Sequence, residues 1–186
     1  RSSGIIAASA GNHAQGVALS ADQLNINATI VMPQTTPSIK VDAVKRLNAT
    51  VILHGDSYDD AYNHAMVLSD QNGYTFIHPY DAPAVIAGQG TIALEILGQL
   101  SEPIDYIFVA VGGGGLLAGI LAVFKTLSPN TKVIACEPEN SACLKAALEA
   151  NDRIELDSVG IFADGVAVKQ IGELTFDIIQ PHLDDS

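Results

Sequence analysis

Apolar and polar positions change over in blocks along this chain. Gly4-Ile5-Ile6-Ala7-Ala8, Ala28-Thr29-Ile30-Val31-Met32, Thr50-Val51-Ile52-Leu53 and Tyr74-Thr75-Phe76-Ile77 are short runs of the length and composition of buried strands. Tyr106-Ile107-Phe108-Val109-Ala110-Val111 and Lys132-Val133-Ile134-Ala135-Cys136-Glu137 repeat the pattern, and the first of these is continuous enough to predict a strand covered on both faces. Between them, apolar residues recur at helical spacing: Val17, Ala18, Ala21 and Leu24; Val41, Val44 and Leu47; Ala61, Ala65 and Leu68. Thr36 and Pro37 suit the N-cap and first position of the second helix. Ser57 with Asp60 resembles a capping box for the third, which Gly73 stops. Further helices are predicted from about Ala87 to Leu100, from Leu116 to before Pro129, from Ser141 to Ala150 and from Lys169 to Gln180, with a loop over Asp157 to Val168. The alternation predicts an α/β fold of parallel sheets with helices on both faces. The irregular stretch His78 to Pro83 is the candidate boundary between a small α/β subdomain, 1–76, and part of a larger one, 77–186.

One junction stands out. The strand from Tyr106 runs into Gly112-Gly113-Gly114-Gly115 and then into an apolar helix opening at Leu116. Glycines there let backbone amides turn inward and a ligand approach without meeting a Cβ, and the helix start favours an anion, most often a phosphate. A tight turn would need only one or two glycines, so four favour phosphate binding. Ser9-Ala10-Gly11-Asn12-His13-Ala14-Gln15-Gly16 is a second strand–loop–helix junction with exposed amides. In α/β folds ligands sit at the carboxyl ends of strands, where both loops lie.

Composition narrows the classes. A net charge of −12 argues against nucleic-acid or anionic-membrane surfaces. No apolar run is long enough to span a membrane, and no signal-peptide pattern opens the chain, so a cytoplasmic protein is expected. Cys136 and Cys143 lack metal-ligand spacing and are expected to be reduced, buried thiols. His54, His64, His78 and His182 lack ligand-like spacing, Asp164 suits a turn before Gly165, and no metal is expected. Asp59-Asp60 and Asp184-Asp185 read as solvated charge, and Lys125 as an exposed residue near a helix C-terminus.

Gly113-x-Gly115-x-x-Ala118 fits a dinucleotide fingerprint, with Glu137 as a ribose-binding acid; any glycine run makes such matches easily. That leaves open a nicotinamide-dependent oxidoreductase domain, or a binding module that keeps phosphate affinity without chemistry. Taken together, Ser9 to Gly16 and Gly112 to Leu116 resemble the fold-type II pyridoxal-phosphate enzymes, and among them the threonine/serine dehydratases with their serine racemase relatives. Lys40-Val41-Asp42-Ala43, Gly88-Gln89-Gly90-Thr91, Glu137 to Leu144 and Ala163-Asp164-Gly165-Val166-Ala167-Val168 match as well. Ser141-Ala142-Cys143-Leu144-Lys145 leans toward the biosynthetic threonine dehydratases. The resemblance covers essentially the whole chain.

That resemblance implies two three-layer α/β/α subdomains and a pyridoxal 5'-phosphate cofactor. Its reaction would be deamination of L-threonine to 2-oxobutanoate and ammonia, the first step toward isoleucine. Serine dehydratase or serine racemase are the alternatives within the family. Gly112, Gly113, Gly114, Gly115 and Leu116 would hold the cofactor phosphate through backbone amides. Asn12 would hydrogen-bond the phenolic oxygen beside the Schiff base, although Asn also suits a helix N-cap. The amides and hydroxyl of Ser9, Ala10, Gly11, Asn12 and His13 would take the substrate carboxylate. The Schiff-base lysine belongs to a Ser-Phe-Lys-x-Arg-Gly-like motif, and none of Lys40, Lys45, Lys125, Lys132, Lys145 and Lys169 lies in one. The lysine is therefore expected upstream of Arg1, and the serine at the pyridine nitrogen beyond Ser186. The chain reads as an internal piece of a longer protein, inactive alone, whose full-length form would be a dimer or tetramer acting on a small amino acid.

Overall fold

The computed structural model describes residues 3–160 and 162–186. Arg1, Ser2 and Ile161 lie outside the described residues, Ile161 within the loop predicted over Asp157 to Val168. The chain divides between Pro79 and Tyr80 into two compact units.

The first unit is built on four parallel strands: β1 (Ile5–Ala8), β2 (Ala28–Met32), β3 (Thr50–Leu53) and β4 (Thr75–Phe76), in the order β3-β2-β1-β4. Ile6 lies opposite Thr29 and Phe76, and Ile30 opposite Val51. Every residue of β2 is buried, as a strand with helices on both faces requires. Successive side chains point to opposite faces. Ala7, Ile30 and Met32 therefore pack with α1 (Asn12–Leu24) and α2 (Ser38–Lys45), while Ile6, Ala8 and Val31 pack with α3 (Tyr58–Asn72). The capping box of α3 is formed in full: the Asp60 amide donates to Ser57 Oγ at 3.1 Å, and the Ser57 amide to Asp60 Oδ2 at 3.0 Å. Asp60 is thus an engaged carboxylate and not merely solvated charge. Gly73 closes the helix in the left-handed conformation at φ +66°.

Two expectations shift here. Pro37, with extended ψ, is the N-cap of α2, and its carbonyl accepts the first helical amides from Lys40 and Val41. Proline fixes φ but not ψ, so it can stand one residue outside the helix. Leu24 is 68% exposed; α1 is about 20 Å long, which exceeds the reach of the strands beneath it.

The second unit pairs β5 (Tyr106–Ala110) with β6 (Lys132–Cys136) in parallel, Ile107 opposite Val133 and Val109 opposite Ala135. Its helices are α4 (Pro83–Gln99), α5 (Gly115–Leu127), α6 (Cys143–Ala150) and α7 (Glu173–Ile179). Val109, Val111, Val133, Leu117, Leu121, Phe124, Leu144, Ile171 and Ile179 form its core. α4 begins four residues before the prediction, because Pro83 takes a first-turn position where its missing N–H costs nothing. It crosses α5 backbone to backbone: a Cβ on Gly119 would stand 2.5 Å from the Ile86 carbonyl oxygen and 2.6 Å from the Gly90 nitrogen. The closing helix is shorter than predicted.

β5 is not covered on both faces. Val109 is buried, but Tyr106 (60%) and Phe108 (68%) are exposed on the opposite side of the pleat. Asp184 is not solvated charge either. Its carboxylate accepts from Lys125, from Lys132 Nζ at 3.1 Å and from the Val133 amide at 2.8 Å, anchoring the segment that bridges to β6 through Ile134 and Asp185. Lys125 is consequently partnered and mostly covered.

Candidate active site

In the first unit, β1 ends at Ala8 and the chain turns within three residues. The Ser9 amide donates to the Val31 carbonyl at 3.1 Å, and Ser9 Oγ accepts the Gly11 amide at 3.2 Å. Gly11 is the N-cap of α1 and no side chain caps it; Asn12 is the first helical residue and exposed, so the capping role does not fall to Asn12. The amides of Ala10, Asn12 and His13 donate to no acceptor among the described residues. They form a positive helix start with its own turn already satisfied. His13 contributes its side chain elsewhere: Nε2 donates to the Ile77 carbonyl at 3.0 Å. Burial pulls the imidazole below its ordinary value, against that hydrogen bond. A neutral ring tying α1 to the segment after β4 leaves the His13 amide for an anion.

In the second unit, β5 continues to Val111, whose amide donates to the Cys136 carbonyl at 3.0 Å. The four glycines follow. Only Gly114 has positive φ, at +91°. The other three lack side chains because the protein itself fills the space. A Cβ at Gly113 would lie 2.3 Å from Cγ of Tyr80, one at Gly115 would lie 2.9 Å from Cβ of Tyr80, and one at Gly112 would lie 3.0 Å from Cα of Val166. The inference from glycine number to ligand contact is therefore corrected: Tyr80 and Val166, not a ligand, occupy the Cβ positions. What the loop offers a ligand is its backbone. The Gly112 carbonyl accepts from Cys143 Sγ at 3.5 Å, and the Gly113 carbonyl from Thr175 Oγ1 at 2.8 Å and the Gly172 amide at 3.2 Å. The Gly114 carbonyl takes the Ala118 amide at 2.9 Å. The amides of Gly112, Gly113, Gly114, Gly115 and Leu116 donate to no acceptor among the described residues. A run of outward carbonyl bonds with unspent amides opening an apolar helix fits an anionic monoester such as the phosphate of pyridoxal phosphate.

The surrounding residues are tightly engaged. Burial and the neighbouring Glu137 push the Cys143 thiol up to about 12, so it remains a donor. Glu137 accepts the amides of Leu144 at 2.8 Å and Lys145 at 2.9 Å, capping α6. Burial still raises its pKa. The acid that a dinucleotide would need for its ribose is thus committed to a helix start. Cys136 is exposed, contrary to the expectation for both thiols. His54 and His64 stack face to face with ring centroids 3.8 Å apart, and no group of three or more His, Cys, Asp or Glu suited to a metal occurs among the described residues. No helix among them is long and apolar enough to cross a membrane.

Sequence reasoning missed Tyr80, Asp81 and Thr175. Asp81 accepts the Glu173 amide at 2.9 Å and the Thr175 amide at 3.1 Å, capping α7 from more than ninety residues away. No local pattern announces such partners.

The arrangement defines a parallel α/β protein with unspent backbone amides at a strand–glycine–helix junction, and over residues 1–186 it matches the family described as pyridoxal-phosphate dependent enzyme, to which the chain belongs. The chain is 59% identical over 185 residues to the biosynthetic L-threonine dehydratase IlvA of Pasteurella multocida, covering all of this chain and 36% of that protein. It is 56% identical over 182 residues to the Escherichia coli L-threonine dehydratase, covering 98% of this chain and 35% of that one. Among solved structures, processed threonine deaminase isoform 2 of Solanum lycopersicum superposes with a TM-score of 0.94 at 50% identity, over 98% of this chain and 50% of that one. Maize serine racemase gives 0.93 at 34% identity, over 99% and 55%. The chain spans about a third of the length of the curated relatives it matches.

Proposed function

We propose that the whole protein is a pyridoxal-phosphate-dependent threonine dehydratase that converts L-threonine to 2-oxobutanoate and ammonia, the entry to isoleucine. The observation that carries this reading is a glycine loop with unspent amides within a chain similar along its whole length to threonine dehydratases.

In this reading the amides of Gly112 to Leu116 hold the phosphate, with the apolar start of α5 lending its dipole. The Asn12 carboxamide donates to the phenolic oxygen of the cofactor without adding charge. The amides of Ala10, Asn12 and His13, with the Ser9 hydroxyl, take the substrate carboxylate, while the Gly11 amide keeps the turn closed on Ser9. His13 holds that helix start in place through Ile77. When bound, pyridoxal phosphate supplies an electron-accepting ring that makes the Cα proton of an amino acid removable. No residue of this chain is assigned that proton transfer. The small subdomain, 1–76, contributes the carboxylate loop and the larger, 77–186, the phosphate loop. The protein acts in the cytoplasm as a homo-oligomer.

The test is turnover by the full-length protein. L-threonine should yield 2-oxobutanoate faster than L-serine yields pyruvate, with a near-visible absorbance band from bound cofactor. A protein that shows the band but only racemises or deaminates serine would overturn the threonine reading. A protein without the band would overturn the cofactor assignment.

A further inference from the structure

We infer that Thr175 is a positioning residue for the phosphate, its hydroxyl holding the Gly113 carbonyl so that the next amide, that of Gly114, faces the anion. The inference rests on the phosphate reading of the glycine loop given above.

A run of four glycines has little conformational preference of its own. Its peptide planes could turn either way, and an anion site exists only if the amides, not the carbonyls, face the ligand. Something outside the loop must choose. The Gly113–Gly114 peptide is planar and trans, so its C=O and N–H point in opposite directions. Thr175 Oγ1, at 2.8 Å, and the Gly172 amide, at 3.2 Å, both donate to that C=O. The N–H of Gly114 is thereby turned away from α7. Gly114 accepts this orientation at φ +91°, where a side chain would be strained and would also stand 2.7 Å from Ile171 Cδ1 and 2.9 Å from Thr175 Oγ1.

Thr175 is itself fixed. It is fully buried, and its amide and that of Glu173 are both held by the Asp81 carboxylate. Asp81 therefore sets the first turn of α7, the first turn places the hydroxyl, and the hydroxyl orients the peptide. Cys143, donating to the Gly112 carbonyl, acts in the same sense on the Gly113 amide.

The experiment compares pyridoxal phosphate with pyridoxal in the full-length protein, since their affinity ratio isolates the phosphate contact. Wild type should favour the phosphate form strongly. Thr175→Val removes the hydroxyl at nearly constant volume and should narrow the ratio by roughly tenfold, with pyridoxal affinity unchanged. Thr175→Ser should restore it. The phosphorus-31 resonance of the bound group should move in the Val variant and return in the Ser variant. A folded Thr175→Val protein with the wild-type ratio would overturn the inference. Should Val not fold, Thr175→Cys, whose thiol is a weak donor, reads the same ratio, and an unchanged value there overturns it equally. A wild-type ratio near one would instead overturn the phosphate reading, and the role of Thr175 with it.

Discussion

Tyr80 lies so closely over Gly113 that a methyl group at residue 113 would stand 2.3 Å from Cγ of the ring and 2.4 Å from each Cδ. In the full-length protein, Gly113→Ala is expected to abolish most cofactor affinity. Tyr80→Ala in the same chain should recover much of it, because the three nearest atoms all belong to the ring. Gly115→Ala should not be recovered, since that methyl would meet Cα and the carbonyl oxygen of Tyr80 at 3.0 Å. Cofactor titration of the two double variants checks the contrast; no recovery of Gly113→Ala by Tyr80→Ala would show that the ring is not the obstacle.

Asn12 offers a separation of chemistry from folding. Because Gly11 and not Asn12 caps α1, Asn12→Ala should leave stability within about 0.5 kcal/mol of wild type while lowering threonine turnover. Asn12→Ser should not restore the rate. Thermal denaturation and initial rates, measured on the same preparations, decide it: a loss of stability matching the loss of rate would return Asn12 to a structural role.

A matched pair of glycines tests the crossing of α4 and α5. Gly119→Ala introduces a methyl 2.5 Å from the Ile86 carbonyl oxygen, and forced overpacking outweighs the helix preference for alanine, so a net loss of about 2 kcal/mol is expected. Gly98, exposed near the end of α4, has nothing within 4 Å of its absent Cβ. Gly98→Ala should gain about 0.5–1 kcal/mol. Denaturant midpoints of opposite sign confirm the assignment; two gains would refute the close crossing.

Asp184 predicts an acid limb of stability. The Lys125 ammonium, then the Val133 amide, hold its carboxyl at about 2, below the ordinary 3.8. A folded pKa below the unfolded one contributes stability that is complete above the unfolded value and disappears as pH falls through the folded value. The difference between wild type and Asp184→Asn should therefore stay constant above pH about 4 and shrink between about 4 and 2. A difference that ignores pH over that window would mean that the three hydrogen bonds contribute nothing to the native state.

Much of the fold was legible because it is written locally. The strands of the first unit, the Ser57–Asp60 box and the Gly73 stop depend on neighbours within a few positions. The two strand–loop–helix junctions were legible for the same reason: each lies between a strand and a helix that the apolar pattern announces. What the pattern misread depends on distant partners. Asp184 looks like a solvated tail residue until β6 and Lys125 are folded against it. Asp81 sits in what reads as a linker, yet it caps α7. Tyr106 and Phe108 are exposed within these 186 residues, which the run of apolar letters does not encode. The glycines read from sequence as room for a ligand to approach without meeting a Cβ, whereas Tyr80 and Val166, both invisible from the local pattern, fill that room.

The two glycine contacts differ in what they permit over generations of mutation. At the Tyr80–Gly113 contact the bulky partner is a side chain, so a substitution at Tyr80 opens room in which residue 113 is free to drift. Where Gly90 and Gly119 meet, backbone touches backbone, and nothing smaller than glycine exists to make room for a change on the other side. The crossing of α4 and α5 has no compensating step available and is locked, whereas position 113 in the loop after β5 can be rewritten through its aromatic cover.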